Sequence, residues 1–470
     1  MKKLLTLVLA LMLLINIAGC AKTENGNKGN SATTNPSTTE AALSGWGFYN
    51  QRAEVFVEAM ADGDFEAAVA MFDMTMKRAI SVSVLKNDIW GTIVAQAGKF
   101  ISIHEIENQL YDGYYICFTT SRHENRGVTL RVVFSENGLV SGLFIDGYPM
   151  IEDRSVQREG FTDFPIVIGE GTDFPLNGIL SMPDNVTGKV PAVVLVHGSG
   201  AHDMDETIYA NKPFRDIAEY LAANGIAVIR YDKRTFSHGT KIIQQFGGSA
   251  TVKEETTEDA ILAADMLKSD PRIDENRVFI LGHSLGGMLA TRIHAEGGNF
   301  AGIISLAGSP RSLLDISYDQ QAVYVNGMPD GDEKTFLLLQ LARYDEQVEA
   351  LMNLPDDEAK NTPMSGGVSV YYYKEMDKHS VSEYLNETAV PFLILQGSKD
   401  FQVYADNDFV LWQELLAGRA NATFRLYEGL NHLFMPSTGK SITEYQEEYK
   451  IENRVDSQVL ADIAEWIRVN

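Results

Sequence analysis

Cysteine is nearly absent: Cys20 and Cys117 are the only two in 470 residues. Neither belongs to a C-x-x-C pair or stands near a histidine at zinc spacing, so the sequence offers no structural metal site. Basic residues are also scarce. Lys and Arg number 39 against 64 Asp and Glu, the net charge is −25, and no long basic run exists. That balance argues against nucleic acid as a partner and disfavours docking on an anionic membrane surface unless a covalent anchor overrides it. Long apolar runs are missing apart from residues 4–17, which are too few for a comfortable membrane span. No internal repeat is present. What remains is ordinary globular composition, 45% apolar and 22% charged. At this length two or three domains with a large core are expected.

Residues 1–20 read as a targeting segment. Lys2 and Lys3 precede the apolar run, which is broken only by Thr6 and Asn16. It ends in Ile17-Ala18-Gly19-Cys20, which resembles the bacterial lipobox. The resemblance implies a lipid on Cys20, export, and a membrane anchor facing the outside. Residues 21–44 are rich in Asn, Gly, Ser, Thr and Ala and read as a flexible linker.

Residues 45–150 are expected to form a small α+β domain. Helical spacing at 52–60 and 65–72 is broken by Asp62-Gly63-Asp64, and a further helix is expected near 82–97. Short β-rich runs follow at 101–110, 113–120, 128–134 and 139–145, with Asn137-Gly138 as a hairpin turn. Cys117 reads as a buried thiol, and His104 and His123 as isolated polar residues. The segment Phe65-Glu66-Ala67-Ala68-Val69-Ala70-Met71-Phe72-Asp73 resembles a cystatin- or NTF2-like domain found ahead of exported bacterial hydrolases.

Residues 160–470 carry a different rhythm. Early strands are expected at 164–168 and 176–183. From 191 onward buried strands alternate with helices: strands at 192–196, 226–231, 277–281, 303–306, 392–395 and 423–427, helices at 212–222, 257–267 and 456–468. This predicts an α/β fold, a mostly parallel sheet covered on both faces. A largely helical stretch at 311–389 interrupts it and reads as a cap insertion.

The chemistry centres on Gly282-His283-Ser284-Leu285-Gly286. An apolar strand precedes it and a small-residue helix follows, which is the nucleophile-elbow pattern. Serine needs a base, and the base an orienting carboxylate. Both follow in order at strand ends. Asp400 closes Leu393-Ile394-Leu395-Gln396-Gly397-Ser398-Lys399-Asp400, and His432 closes Tyr427-Glu428-Gly429-Leu430-Asn431-His432. Asp406 is a weaker alternative for the acid. The oxyanion donors expected are the backbone N–H groups of Leu285 and of Ser199 in Val196-His197-Gly198-Ser199-Gly200, with Gly200 behind Ser199. His197 and His283 are expected to support these turns rather than react.

These motifs resemble the α/β-hydrolase superfamily over roughly residues 160–470. Asp203-Met204-Asp205-Glu206-Thr207, Asn211-Lys212-Pro213-Phe214 and Arg230-Tyr231-Asp232-Lys233-Arg234 are similar to an esterase-like branch near the acetyl xylan esterases and prolyl-oligopeptidase-type hydrolases. Thr235-Phe236 departs from that branch, where many relatives carry glycine. The resemblance implies a serine hydrolase acting on a small-molecule acyl ester with no cofactor and no metal. A peptidase or acyltransferase on the same triad, or a non-catalytic cell-surface binding protein, stays open beside it. So does a binding role centred on residues 45–150. Asp203, Asp205 and Glu206 are expected to pair with Arg230, Lys233 or Arg234 rather than to hold a cation.

Overall fold

The computed structural model describes residues 46–111, 113–149, 156–364, 367–442 and 444–470. The targeting segment, Cys20 and the linker at 21–44 lie outside the described residues. The chain divides into two compact units, one ending at Glu152 and one running from Asp153 to Asn470.

In the first unit, the helices Trp46–Ala61, Phe65–Ala70 and Met74–Ala79 precede a π-helical turn, Val84–Trp90, that runs into Gly91–Ala97. The break after the first helix has a local cause. Gly63 takes φ +79°, and the Asp64 carboxylate accepts the Ala67 N–H at 3.0 Å, which starts the next helix. Asp73 caps the following helix in the same way through Met76 N–H at 2.8 Å. Four strands then form an antiparallel meander: β1 (Phe100–Tyr111), β2 (Tyr114–His123), β3 (Gly127–Phe134) and β4 (Val140–Gly147). Cys117 is fully buried, and burial pushes its thiol up to about 12, so it is inert at neutral pH. His104 is exposed, whereas His123 is buried and bonded to Ser121 and to the Gly98 carbonyl.

The second unit is built on nine strands. They are β5 (Val156–Gln157), β6 (Phe161–Ile168), β7 (Leu176–Pro183), β8 (Val190–Val196), β9 (Ala227–Tyr231), β10 (Ile273–His283), β11 (Ile303–Leu306), β12 (Phe392–Gly397) and β13 (Ala422–Tyr427). The order is β13-β12-β11-β10-β8-β9-β7-β6-β5. From β13 to β9 the pairs are parallel, and from β9 to β5 they are antiparallel. The parallel strands β8 to β12 carry apolar runs, such as Val278-Phe279-Ile280-Leu281 in β10, because both faces are covered. Ala192, Val194 and Val196 enter one core, and Val193 and Leu195 enter the other. Register brings Gly282 level with Val196 on one side and Ser305 on the other. The loops leaving β8, β10 and β11 therefore emerge together, where parallel sheets place their sites.

Six helices, Leu313–Gly327, Asp332–Leu341, Tyr344–Met352, Asp356–Lys360, Val370–Asp377 and Val381–Glu387, lie between β11 and β12. They dock unevenly. Arg292 on the helix after β10 pairs with Glu375, whereas no residue of Asp332–Leu341 is buried. The helix Arg234–Phe246 lies where no element was expected from the sequence. Its apolar residues are few, and a non-helical residue, His238, kinks it.

Glycine at 286 is required by space rather than by dihedral angle. A Cβ there would lie 2.1 Å from the Val196 carbonyl oxygen, a backbone atom that cannot swing away. Gly286→Ala is expected to destabilise the second unit by about 3 kcal/mol, the upper range for overpacking. Gly418 has φ +81° and open space around it, so Gly418→Ala should cost only about 1 kcal/mol. Differential scanning calorimetry of both variants checks the contrast.

Candidate active site

Ser284 sits between β10 and the helix Leu285–Ile293 with φ 52° and ψ −115°. A non-glycine residue in that region costs about 1–3 kcal/mol and persists only when its surroundings hold it. Here the Ser284 N–H bonds to the Leu306 carbonyl at 2.9 Å, and the Ser284 carbonyl accepts from Met288 N–H at 3.0 Å. The glycines on either side admit the tight turn. A Cβ at Gly282 would meet the Gly286 carbonyl at 2.1 Å, and one at Gly287 would meet Ser305 Oγ at 2.8 Å. The first-turn N–H groups of the helix, beginning with Leu285, have no acceptor within it, and they point to the serine end.

His432 and Asp400 meet directly. His432 Nδ1 lies 2.7 Å from Asp400 Oδ2, and both residues are buried. The remaining acceptor capacity of Asp400 is filled. Oδ1 takes the N–H groups of Gln402 and Val403, and Oδ2 also takes Gln396 Nε2 at 2.9 Å. Asp406 is exposed, on the turn beyond. Ser284 Oγ makes no hydrogen bond to His432 in this structure. The link between them runs through His283, whose Nε2 donates to the His432 carbonyl at 3.0 Å with the two rings 4.7 Å apart.

The loop after β8 comes within contact of the serine, since a Cβ on Gly198 would lie 3.2 Å from Ser284 Cβ. Its backbone is held group by group. His197 Nε2 donates to the Asp203 carbonyl at 3.0 Å and His202 Nε2 to the Ser199 carbonyl at 2.7 Å. Gly198 N–H is taken by Glu206 Oε1 at 2.7 Å, and Gly198 O by Lys233 Nζ at 2.7 Å. Gly200 has φ +100°, which ends the turn.

The acidic cluster behind this loop corrects the sequence reading in part. Asp205 pairs with Arg230 at 3.0 Å, as expected, and with Arg215 at 2.6 Å. Asp203 instead accepts from Thr207. Lys233 and Arg234 turn to other carboxylates, Glu255 at 2.6 Å and Asp259 at 2.5 Å. Glu206 faces inward, its Oε2 3.0 Å from His283 Nδ1. Burial alone would push the Glu206 carboxyl up, but His283, with His202 and His197 behind it, outweighs that and holds the group at about 2. Burial lowers His283, and the Glu206 charge more than reverses that, so the imidazole is raised. A carbonyl at one nitrogen and a carboxylate at the other both favour the doubly protonated form of His283. His197 has no such pairing, and burial drops it to about 3, keeping it neutral. Glu206 and Lys233 were expected only as ion-pair partners within this cluster; their hold on the two sides of Gly198 was not foreseen, since nothing in the spacing of charges says which partner the fold will select. No cluster of three or more His, Cys, Asp or Glu placed to hold a metal occurs among the described residues.

A small cavity of about 70 Å³ lies between Met288 and Leu289 of the helix after Ser284 and Tyr373, Met376 and Val381 of the insertion. Ser284 and His432 are not among its walls.

A mostly parallel sheet with a strained serine at the turn after a central strand defines the α/β-hydrolase architecture. Residues 193–440 match the model described as the alpha/beta hydrolase family, and the chain belongs to that family. Residues 53–143 match a separate family described as a protein of unknown function, DUF3887. The chain is 33% identical over 428 residues to esterase EstD of Thermotoga maritima, covering 90% of this chain and 96% of that protein. It is 26% identical over 260 residues to human monoglyceride lipase, covering 53% of this chain and 77% of the lipase. Among solved structures, Est1E from Butyrivibrio proteoclasticus aligns with a TM-score of 0.40 and 18% identity, covering 64% of this chain and 99% of Est1E.

The buried Glu206–His283 pair sets a pH window for stability. Glu206 is depressed from an ordinary 4.5, so its contribution is present above about 4.5 and is lost as the pH falls towards 2. His283 is raised from 6.5, so its contribution is complete below about 6.5 and is lost as the pH rises through the folded value. The melting-temperature advantage of wild type over Glu206→Gln is therefore expected to peak near pH 5.5 and to shrink at pH 3 and pH 9. Thermal denaturation across that range measures it.

Proposed function

We propose that this protein is an exported serine hydrolase that cleaves carboxylic esters through Ser284, His432 and Asp400. The observation that carries the reading is the buried 2.7 Å contact between His432 Nδ1 and Asp400 Oδ2 at the sheet edge that bears the strained serine. Its likeness over most of its length to a protein named an esterase supports the ester as substrate.

In this reading His432 Nε2 takes the Ser284 hydroxyl proton as Oγ attacks the acyl carbonyl. Asp400, saturated with donors, fixes the proton on His432 Nδ1 and stabilises the imidazolium. The tetrahedral oxygen is held by the N–H groups of Leu285 and Ser199. His432 then protonates the leaving alcohol. Water attacks the acyl-enzyme with His432 again as base, which releases the acid and restores Ser284. The Ser284 Oγ to His432 bond tightens as substrate binds, as is common for catalytic contacts that are long in the free enzyme. Gly198 N–H is committed to Glu206, which favours Ser199 over Gly198 as the second donor.

The reading extends to location. Lys2, Lys3, the apolar run at 4–17 and Ile17-Ala18-Gly19-Cys20 support processing at Cys20 and a lipid there. A single acyl chain gives only marginal anchoring, so stable attachment needs more than one chain on that cysteine.

Hydrolysis of p-nitrophenyl esters from acetate to palmitate by the full chain, beside an aminoacyl anilide series, tests the chemistry. Ser284→Ala should lower kcat by about 10⁵–10⁶-fold and Asp400→Asn by about 10⁴-fold, with ester turnover exceeding anilide turnover. Faster anilide cleavage would move the assignment to a peptidase. For location, bacteria expressing the full chain and fed an alkyne fatty acid should label wild type and not Cys20→Ser. Equal labelling of the two would exclude Cys20 as the lipid site.

A further inference from the structure

Lys233 is among the largest fully buried side chains in the described part of the molecule. A buried ammonium is costly to desolvate, and here it has two recorded partners. Its Nζ donates to the Gly198 carbonyl at 2.7 Å and pairs with Glu255 Oε1 at 2.6 Å. Glu255 Oε2 in turn accepts the Tyr372 hydroxyl at 2.6 Å. Tyr372 lies on the helix Val370–Asp377 of the insertion. A continuous polar chain thus runs from the insertion through Glu255 and Lys233 to the loop beside Ser284.

The consequence follows from peptide geometry. The Gly198–Ser199 bond is trans, since no cis peptide occurs among the described residues, so its carbonyl and its N–H point in opposite directions. Fixing the Gly198 oxygen on Lys233 therefore fixes the direction of the Ser199 N–H, away from Lys233. The preceding peptide is fixed as well, because Glu206 takes the Gly198 N–H. Gly198 has no side chain to resist rotation, and it lies so near Ser284 that an added Cβ would come within 3.2 Å of the Ser284 Cβ. Without those two contacts the peptide would be free to swing.

We propose that Lys233 is a positioning residue for the oxyanion hole, aiming the Ser199 N–H by holding the Gly198 carbonyl, and that Glu255 and Tyr372 make this aim depend on the insertion. This rests on the reading of Ser284 as nucleophile with Ser199 N–H as donor. Loss of the Lys233 contact removes stabilisation of the tetrahedral oxygen and leaves the unreacted ester bound as before. It acts on kcat rather than KM.

The test uses the full chain as wild type, Lys233→Met, Lys233→Met/Glu255→Gln and Tyr372→Phe. The double variant removes both charges of the pair, so it leaves no uncompensated carboxylate and guards against a folding failure of the single one. Two quantities are read: kcat and KM for p-nitrophenyl acetate, and the rate of inactivation by an alkyl fluorophosphonate. In that inactivation a bond forms between Ser284 Oγ and phosphorus, the P–F bond breaks, and fluoride and the serine proton leave. The phosphoryl oxygen then occupies the oxyanion position. Both Lys233 variants should lose about 10- to 100-fold in kcat, below the loss for deleting a donor outright. KM should stay within about twofold, and inactivation should slow by the same factor as kcat. Tyr372→Phe should lose about two- to fivefold in both rates, since Lys233 and Glu255 remain paired. Lys233 variants with lower melting temperatures but wild-type kcat and inactivation rate would overturn the proposal. So would a rise in KM at unchanged kcat. Wild-type protein that neither turns over ester nor is labelled at Ser284 would overturn the underlying reading, and the positioning role with it.

Discussion

Backbone meets backbone at Gly286, and the site depends on that contact. The helix after Ser284 comes so close to the end of β8 that a single methyl group at 286 would collide with the Val196 and His197 carbonyls. Gly282 serves the same purpose on the other side of the turn, against the Gly286 carbonyl. Three chain segments are thus drawn together: the strand into the serine, the helix out of it, and the loop at 197–200. The register of β10 between β8 and β11 supplies the frame. A strained serine dihedral is tolerable there because the parallel pairs on either side leave its strand no room to relax.

Close approach alone would not orient the loop, because glycine carries no side chain to lock it. The structure uses buried charges for that. Glu206, Lys233 and His283 are all nearly inaccessible, and each would be destabilising alone. Together each has an opposite charge or a backbone group against it. Glu206 has the Gly198 N–H and His283, Lys233 has the Gly198 carbonyl and Glu255, and His283 has Glu206 and the His432 carbonyl. The desolvation cost of this set is offset by hydrogen bonds whose other ends are backbone groups next to the reacting atoms. His283 also ties the loop that carries His432 to the turn that carries Ser284, so the two residues share one buried reference.

The elements that could be read in the sequence are those whose cause is local. Gly282-x-Ser284-x-Gly286 is legible because its glycines answer to contacts a turn of that shape always makes. Asp400 and His432 are legible because each follows, within a short turn, a predominantly apolar strand of the sheet that bears Ser284. The mostly parallel sheet is legible in the short apolar runs within β8 to β12, separated by helices. The insertion was legible only as a helical stretch. The helix Asp332–Leu341 leaves Phe336 and Leu339 exposed, so its apolar run does not report a core face. The pairing of buried charges was least legible. Asp203, Asp205 and Glu206 sit within four residues of one another, yet they part to a threonine, two arginines and a histidine. That choice is made by which strand ends lie nearby, and sequence spacing holds no record of it.

The uneven docking of the insertion bears on how such a site can vary. The helix Val370–Asp377 is bound into the body of the unit through Glu375 to Arg292 and Tyr372 to Glu255. The helix Asp332–Leu341 has no buried residue at all. Substitutions in the latter disturb little packing, because there is little to disturb. Substitutions in the former reach the carbonyl beside Ser284 through two charged residues. The insertion is therefore divided by its packing into a part tied through Tyr372, Glu255 and Lys233 to the loop beside Ser284 and a part that packs against little. A hydrolase built this way can vary its loosely packed helix without disturbing the contacts that hold the Gly198 carbonyl.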